Sequence, residues 1–246
     1  MNGDHRISLA QVRRQLRKNA SAADAIALRR FFKTGPGEYG EGDCFLGVRV
    51  PAIRRLVRTT AQLAERPLMT LLQSRFHEER LLALLAMVWR FQRGDPATQE
   101  RHYDLYLRHT AWINNWDLVD LSAPQIVGGW LLDRPRERLD DLAASACLWE
   151  RRIAVLATLA FIRRGDFADT LRLCHRLRGD RHDLMHKACG WMLREVGKRD
   201  VHALRRFLRA NAATLPRTML RYAIEKFPEA ERQKWLAIRP TARLKA

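Results

Sequence analysis

From Pro51 onward the chain repeats one pattern: apolar residues recur at helical spacing, and each run stops at a short turn. The stops fall at Pro67, Gly94-Asp95-Pro96, Asp133-Arg134-Pro135, Gly165-Asp166, Gly179-Asp180, Lys198-Arg199-Asp200 and Pro216. Between them the spacing predicts helices near 51–60, 67–74, 77–93, 97–110, 116–133, 136–145, 148–164, 167–178, 181–197, 200–211, 216–227 and 229–237. Two more are expected upstream, at 8–20 and 21–33, with Ser8 and Ser21 as N-caps. No other stretch alternates convincingly as a strand. Tight turns make neighbouring helices antiparallel, in pairs of about 35–45 residues, the period of HEAT or armadillo-like stacking. An all-α helical-repeat solenoid is therefore expected, forming one domain over residues 1–246. No strict sequence repeat is visible, so an irregular helix bundle stands as the alternative.

One segment breaks the pattern. Thr34-Gly35-Pro36-Gly37-Glu38-Tyr39-Gly40-Glu41-Gly42-Asp43 is the glycine-dense part of the chain, with Phe31-Phe32 before it and Cys44-Phe45-Leu46-Gly47-Val48 after it. Apolar flanks around a glycine-rich turn predict a β-hairpin or an ordered loop. A phosphate-cradling P-loop is excluded by the missing GxxxxGK[ST] order, and Glu38, Glu41 and Asp43 would repel phosphate.

The 246 residues carry a formal net charge of +18 with 47% hydrophobic content, which describes a folded and strongly basic protein. A polyanion is the expected partner, with nucleic acid ahead of an anionic membrane surface. Cys44, Cys147, Cys174 and Cys189 have no paired spacing and read as reduced thiols. Arg6, Arg13 and Arg14 interrupt every apolar run near the N-terminus, and the longest apolar run, Leu81 to Trp89, is too short to span a bilayer. A cytoplasmic monomer, nucleoid-associated through DNA and without membrane, metal or cofactor, is the expectation.

The stretch Trp112-Ile113-Asn114-Asn115-Trp116-Asp117-Leu118-Val119-Asp120 concentrates the candidate chemistry. Asn114 or Asn115 can cap a helix that begins there. Trp116 and Asp120 then stand one turn apart on one face, an indole beside a carboxylate. A first-turn position would hold Asp120 ionised through the helix dipole, whereas Asp117 fits a plain N-terminal capping role. Trp191 lies beside the small residues Ala188 and Gly190, which permit close approach of a helix or a ligand. Arg151 and Arg152 oppose the dipole at a helix start, a placement that a phosphate partner or a salt bridge to Asp140 or Glu150 would explain. His182 and His186 stand four apart with Asp183 between them, but no third metal ligand is evident. Cys174 and His175 are adjacent on a helix and point apart. No GxSxG, Walker or dinucleotide motif occurs.

Three segments resemble a known family: NNWDLVD ending at Asp120, LWERRIAVLATLAFIR at 148–163 and HKACGWMLREVGK at 186–198. The chain is similar, from about residue 20 to 230, to the AlkD/AlkC-type bacterial DNA alkylation repair proteins, which are built from HEAT-like helical repeats. The resemblance implies a concave basic surface that holds duplex DNA and a glycosylase that excises cationic N3- or N7-alkylpurines without a deep base pocket. It matches Trp116, Asp120, Trp191 and Arg152 to the family's functional positions. The two indoles would pack against the lesion's deoxyribose and backbone, and Asp120 would stabilise an oxocarbenium-like sugar and position water. Arg152, with Arg151, Lys187 and Tyr39, is the expected DNA-binding set. The 33–48 segment resembles the hairpin of the AlkF/AlkG branch, which implies binding of damaged or branched DNA without base excision. A HEAT scaffold for a protein partner is a third class.

Overall fold

The computed structural model describes residues 7–239, and these form sixteen α-helices, two short 3-10 turns and no strand. Arg6, one of the basic residues that interrupt the N-terminal apolar runs, lies outside the described residues. No helix among them is long and apolar enough to cross a membrane. The chain divides into two compact units, Met1–Ile126 and Val127–Ala246.

The first unit contains α1 (Leu9–Arg17), α2 (Ala22–Phe31), α3 (Val50–Thr60), α4 (Glu65–Leu72), α5 (His77–Arg93), α6 (Pro96–Arg108) and α7 (Trp116–Asp120), and the boundary falls within α8 (Ala123–Leu131). Ser8 and Ser21 cap as expected: Ser8 and Gln11 close a reciprocal box, and Ser21 Oγ accepts from Asp24 N. The seventeen-residue α5 is the centre, with α3, α4, α6 and α7 packed on it. Its first turn buries four charged or titratable side chains, His77, Glu78, Glu79 and Arg80. Burial of such groups demands partners, and each has them. Glu79 Oε2 accepts from Arg13 Nε at 2.9 Å and so ties α1 to α5. Arg80 Nη1 donates to Ser74 O at 2.9 Å.

The expected β-hairpin at 33–48 is not formed. The segment is a series of turns followed by extended chain, with an isolated parallel bridge between Cys44 and Phe76. The reason is local competition for the backbone. Glu38 Oε2 accepts from Gly35 N at 2.8 Å and Glu41 Oε2 from Gly37 N at 2.9 Å, which folds the glycines into tight turns. The exit is fixed by Glu78, whose carboxylate accepts from Leu46, Gly47 and Val48 N at 3.0, 2.8 and 3.1 Å. Gly47 has φ +81° and sits so close to α2 that a Cβ would meet Ser21 O at 1.9 Å.

The second unit contains α9 (Arg138–Ala144), α10 (Leu148–Ala157), α11 (Leu159–Arg163), α12 (Ala168–Arg176), α13 (Asp183–Arg199), α14 (Val201–Asn211), α15 (Arg217–Ala223) and α16 (Glu229–Ala237). Here too a seventeen-residue helix, α13, is central, with α10, α11, α12, α14 and α15 against it. Gly190 permits the close packing of α15, since a Cβ there would meet Tyr222 Cβ at 2.5 Å and Met219 O at 2.6 Å. The small residues near Trp191 therefore admit a helix.

Two expected long helices are each split in two. At 116–133 the break is Leu121-Ser122, where the buried Ser122 Oγ donates to Leu118 O and also meets Tyr106 Oη at 3.0 Å. At 148–164 it is Thr158, whose Oγ1 donates to Val155 O at 2.7 Å. In both places a buried hydroxyl competes with the helical ladder and bends the chain.

Replacing Glu78 with Ala leaves three backbone N–H groups at the loop exit without their acceptor. The expected cost is about 3 kcal/mol, read as a lower urea midpoint with unchanged m-value.

Candidate functional site

The helix α7 has five residues, too few to persist alone, so its geometry is imposed by what surrounds it. Asn115 is the N-cap, its Oδ1 accepting from Trp116 N at 2.8 Å. Asp117, Leu118 and Val119 are buried, while Trp116 and Asp120 are partly open. One face of a single turn thus carries an indole and a carboxylate toward solvent. Asp120 is the last residue of α7, so the positive end of that helix does not face it, contrary to the expectation from sequence. Its charge reaches the buried Tyr106 phenol, where burial and then the Asp120 carboxylate push the pKa up against the opposing Ser122 hydrogen bond.

Trp116 is braced by an aromatic column. Its ring stacks on Phe32 at 5.3 Å, Phe32 stacks on Phe45 at 5.2 Å, and His77 lies 4.8 Å from both phenylalanines. Phe31, 61% exposed, adds an edge-on contact to Trp116 at 5.8 Å. Tyr39 joins this group by donating its hydroxyl to Phe31 O at 3.4 Å.

Below the column lies a buried charge network that sequence reasoning missed. His77 Nε2 meets Asp117 Oδ2 at 2.8 Å, and Nδ1 meets Asp43 Oδ2 at 3.1 Å. Arg80 Nη2 donates to Asp43 Oδ1 at 2.6 Å, and Asn115 Nδ2 donates to Asp43 Oδ2 at 3.3 Å. Burial pulls the His77 pKa down, but the Asp117 charge and the hydrogen bonds to Asp117 and Asp43 outweigh it, pushing the imidazole up to about 9. Burial acts to raise Asp43, yet His77, Arg80 and Asn115 hold it below the usual carboxylate range. Asp117 does cap locally, with Oδ1 accepting from Leu118 N at 2.9 Å, but its other oxygen binds the imidazolium. A signal was present: His77-Glu78-Glu79-Arg80 opens the chain's longest apolar run, so these groups had to be buried and paired.

The other expected site residues belong to the second unit. Arg152 is 5% exposed and donates from Nη1 to Leu184 O at 2.7 Å. Arg151 pairs with Asp180 at 2.6 Å, not with Asp140 or Glu150, and donates to Ser145 O and Ala146 O at 3.0 and 2.8 Å. Both guanidiniums thus converge on the segment that starts α13. On α13 itself, Asp183, Lys187, Trp191 and Glu195 follow one another at helical spacing along an open stripe. Lys187 Nζ lies 2.8 Å from Asp183, and Trp191 Nε1 donates to Glu195 Oε1 at 3.1 Å. His182 caps α13 by accepting from Leu184 N at 3.2 Å, and His186 Nε2 meets Asp180 O at 2.7 Å. Among the described residues no three His, Cys, Asp or Glu side chains form a metal-binding group. Cys174 is buried against Cys189 O, while His175 bonds Asn211 at 2.7 Å, so this pair does point apart. The structure therefore assembles Trp116, Asp120 and Tyr39 within one unit, and Arg151, Arg152, Lys187 and Trp191 within the other.

Comparison with known proteins bears on the family and the fold. The sequence matches the family of DNA alkylation repair enzymes over residues 12–227, and the chain belongs to that family. Among solved structures it is similar to one described as a predicted DNA alkylation repair enzyme from Enterococcus faecalis. The TM-score is 0.66 at 16% identity, over 86% of this chain and 98% of that one, a likeness of fold. No curated protein matches the sequence.

A His77 pKa of about 9 in the fold, against an ordinary 6.5, has a definite sign. Its stabilisation is complete below pH 6.5 and disappears as pH rises through about 9, a loss on the order of 3 kcal/mol. Urea denaturation from pH 6 to 10 checks it: the wild type weakens over that window relative to His77→Gln, which lacks the titration.

Proposed function

We propose that this protein is a monofunctional DNA glycosylase that removes cationic N3- or N7-alkylpurines from duplex DNA, with its helix pairs stacked as one HEAT-like repeat domain. The observation that carries this reading is the outward face of α7, where the partly open residues are the braced Trp116 and Asp120. The chemistry suits that pair. An N3- or N7-alkylpurine is already a cationic leaving group, so no general acid is needed. What remains is positive charge on the sugar, which a carboxylate and an indole face stabilise. In this reading Asp120 also positions the attacking water, and Trp116 and Trp191 pack against the deoxyribose and backbone.

Arg152, Arg151, Lys187 and Tyr39 make up the proposed DNA-binding set. Their surroundings support different roles. Lys187 is 41% exposed at its side chain and suits direct phosphate contact. Arg151 and Arg152 are invested in protein contacts and contribute chiefly through their field and by fixing the start of α13. The second reading is a non-catalytic binder of damaged or branched DNA, favoured by the exposed Phe31 and by Tyr39, which extend the aromatic surface beyond Trp116.

Methylated duplex DNA separates the two. The wild type is expected to release N7-methylguanine and N3-methyladenine, and Asp120→Asn to lower that release by about 10²–10³-fold with duplex binding intact. Tight binding by the wild type without any release supports the non-catalytic reading instead.

A further inference from the structure

The first unit holds an open cleft of about 460 Å³ that none of the candidate site residues above line. Its floor is apolar: Leu85 and Trp89, one turn apart on α5, meet Val57 of α3 and Leu121. Leu121 is the peptide neighbour of Asp120, so the cleft opens beside the proposed catalytic turn. Its rim carries Arg54 and Arg58 on α3, with the neutral amides of Gln92 and Gln125. Both arginines are exposed and make no ion pair with any described residue. Other exposed arginines, Arg55 and Arg66 among them, likewise make no ion pair with any described residue, but they do not line the cleft; Arg54 and Arg58 set their open donors beside its apolar floor. Arg93, which does not line the cleft, lies over the ring of the lining residue Trp89 at 4.6 Å.

We infer that this cleft is a subsite for a DNA strand, in which Arg54 and Arg58 hold backbone phosphate while sugar or base rests on the Leu85, Trp89 and Leu121 floor. Residues four apart on a helix stand about 6 Å apart at Cβ, which lets the two guanidiniums grip one phosphate or two neighbours on a strand. A free inorganic anion would have no use for the apolar floor. A purely apolar ligand would have none for two unpaired guanidiniums. A nucleotide unit satisfies both, and the cleft volume lies within the range of sites for ligands of that size. The cleft extends the DNA-binding reading to a defined strand path next to Asp120 and rests on that reading.

The test is binding of a labelled duplex across a salt series for the wild type and three variants. Arg54→Gln/Arg58→Gln should weaken binding about tenfold at 0.1 M salt and reduce the log–log salt slope by about 0.9 if the pair grips one phosphate and about 1.8 if it grips two. Arg55→Gln/Arg66→Gln removes the same charge from exposed positions outside the cleft and should change the slope by less than half as much. Gln92→Glu, an isosteric change at the rim, should weaken binding several-fold. Equal effects from the two double variants overturn the subsite while leaving the DNA reading in place. A wild type that fails to bind duplex at low salt removes both. Poly-glutamate displacing the duplex as well as an equal length of single-stranded DNA assigns the cleft to an acidic protein and overturns the nucleotide assignment.

Discussion

An imidazolium held between two carboxylates is the constraint on which the first unit depends. His77 joins Asp43 from the glycine-rich segment to Asp117 of α7, and it does so from the first turn of the central helix α5. A buried charge left without its partner costs several kcal/mol, so none of the three elements can shift alone. Arg80 and the Asn114 and Asn115 amides complete the Asp43 shell, which leaves that carboxylate satisfied in a site 7% exposed. The network is an expensive way to hold a loop. It is an effective way to fix the position of a five-residue helix that has no stability of its own.

The aromatic column works to the same end from the other side. Phe32 lies between Phe45 and Trp116, and His77 touches Phe32 and Phe45, so the side chain that pins Asp117 also seats the rings that brace Trp116. One residue of α5 thus determines both the backbone of α7 and the orientation of its indole. The solvent-facing pair Trp116 and Asp120 is preorganised by groups that never reach solvent. Preorganisation of this kind lets charge be stabilised without movement during reaction.

Much of this was legible in the sequence, for reasons that can be named. Helix starts at Leu9, Ala22, Pro96, Trp116 and Val201 follow residues whose side chains cap locally, at Ser8, Ser21, Asp95, Asn115 and Asp200. The spacing of Trp116 and Asp120 likewise needed nothing beyond helical geometry. What was hidden depends on contacts distant along the chain. Asp117 looks like a cap, and half of it is one, but its second oxygen belongs to a histidine forty residues upstream. Ser122 and Thr158 read as ordinary helical residues until burial turns their hydroxyls onto the preceding turn. The glycine-rich segment reads as a hairpin because its flanks are apolar, yet Glu38, Glu41 and Glu78 take the amides that a ladder would have used.

The arginines carry the same lesson about charge. A net +18 suggests a surface uniformly attractive to a polyanion, but the guanidiniums are divided in purpose. Arg80, Arg136, Arg151 and Arg205 are committed to carboxylates, and Arg90, Arg152 and Arg217 close carbonyls at turns and helix ends. Their rigid planar fork suits that bracing as well as it suits phosphate. A guanidinium with both edges occupied adds to the long-range field, which salt screens within about 8–10 Å, and offers no donors to a ligand. Arg54 and Arg58 differ because their donors remain open beside an apolar floor next to Asp120. The distribution of uncommitted donors, more than total charge, therefore decides where an anionic strand gains short-range hydrogen bonds.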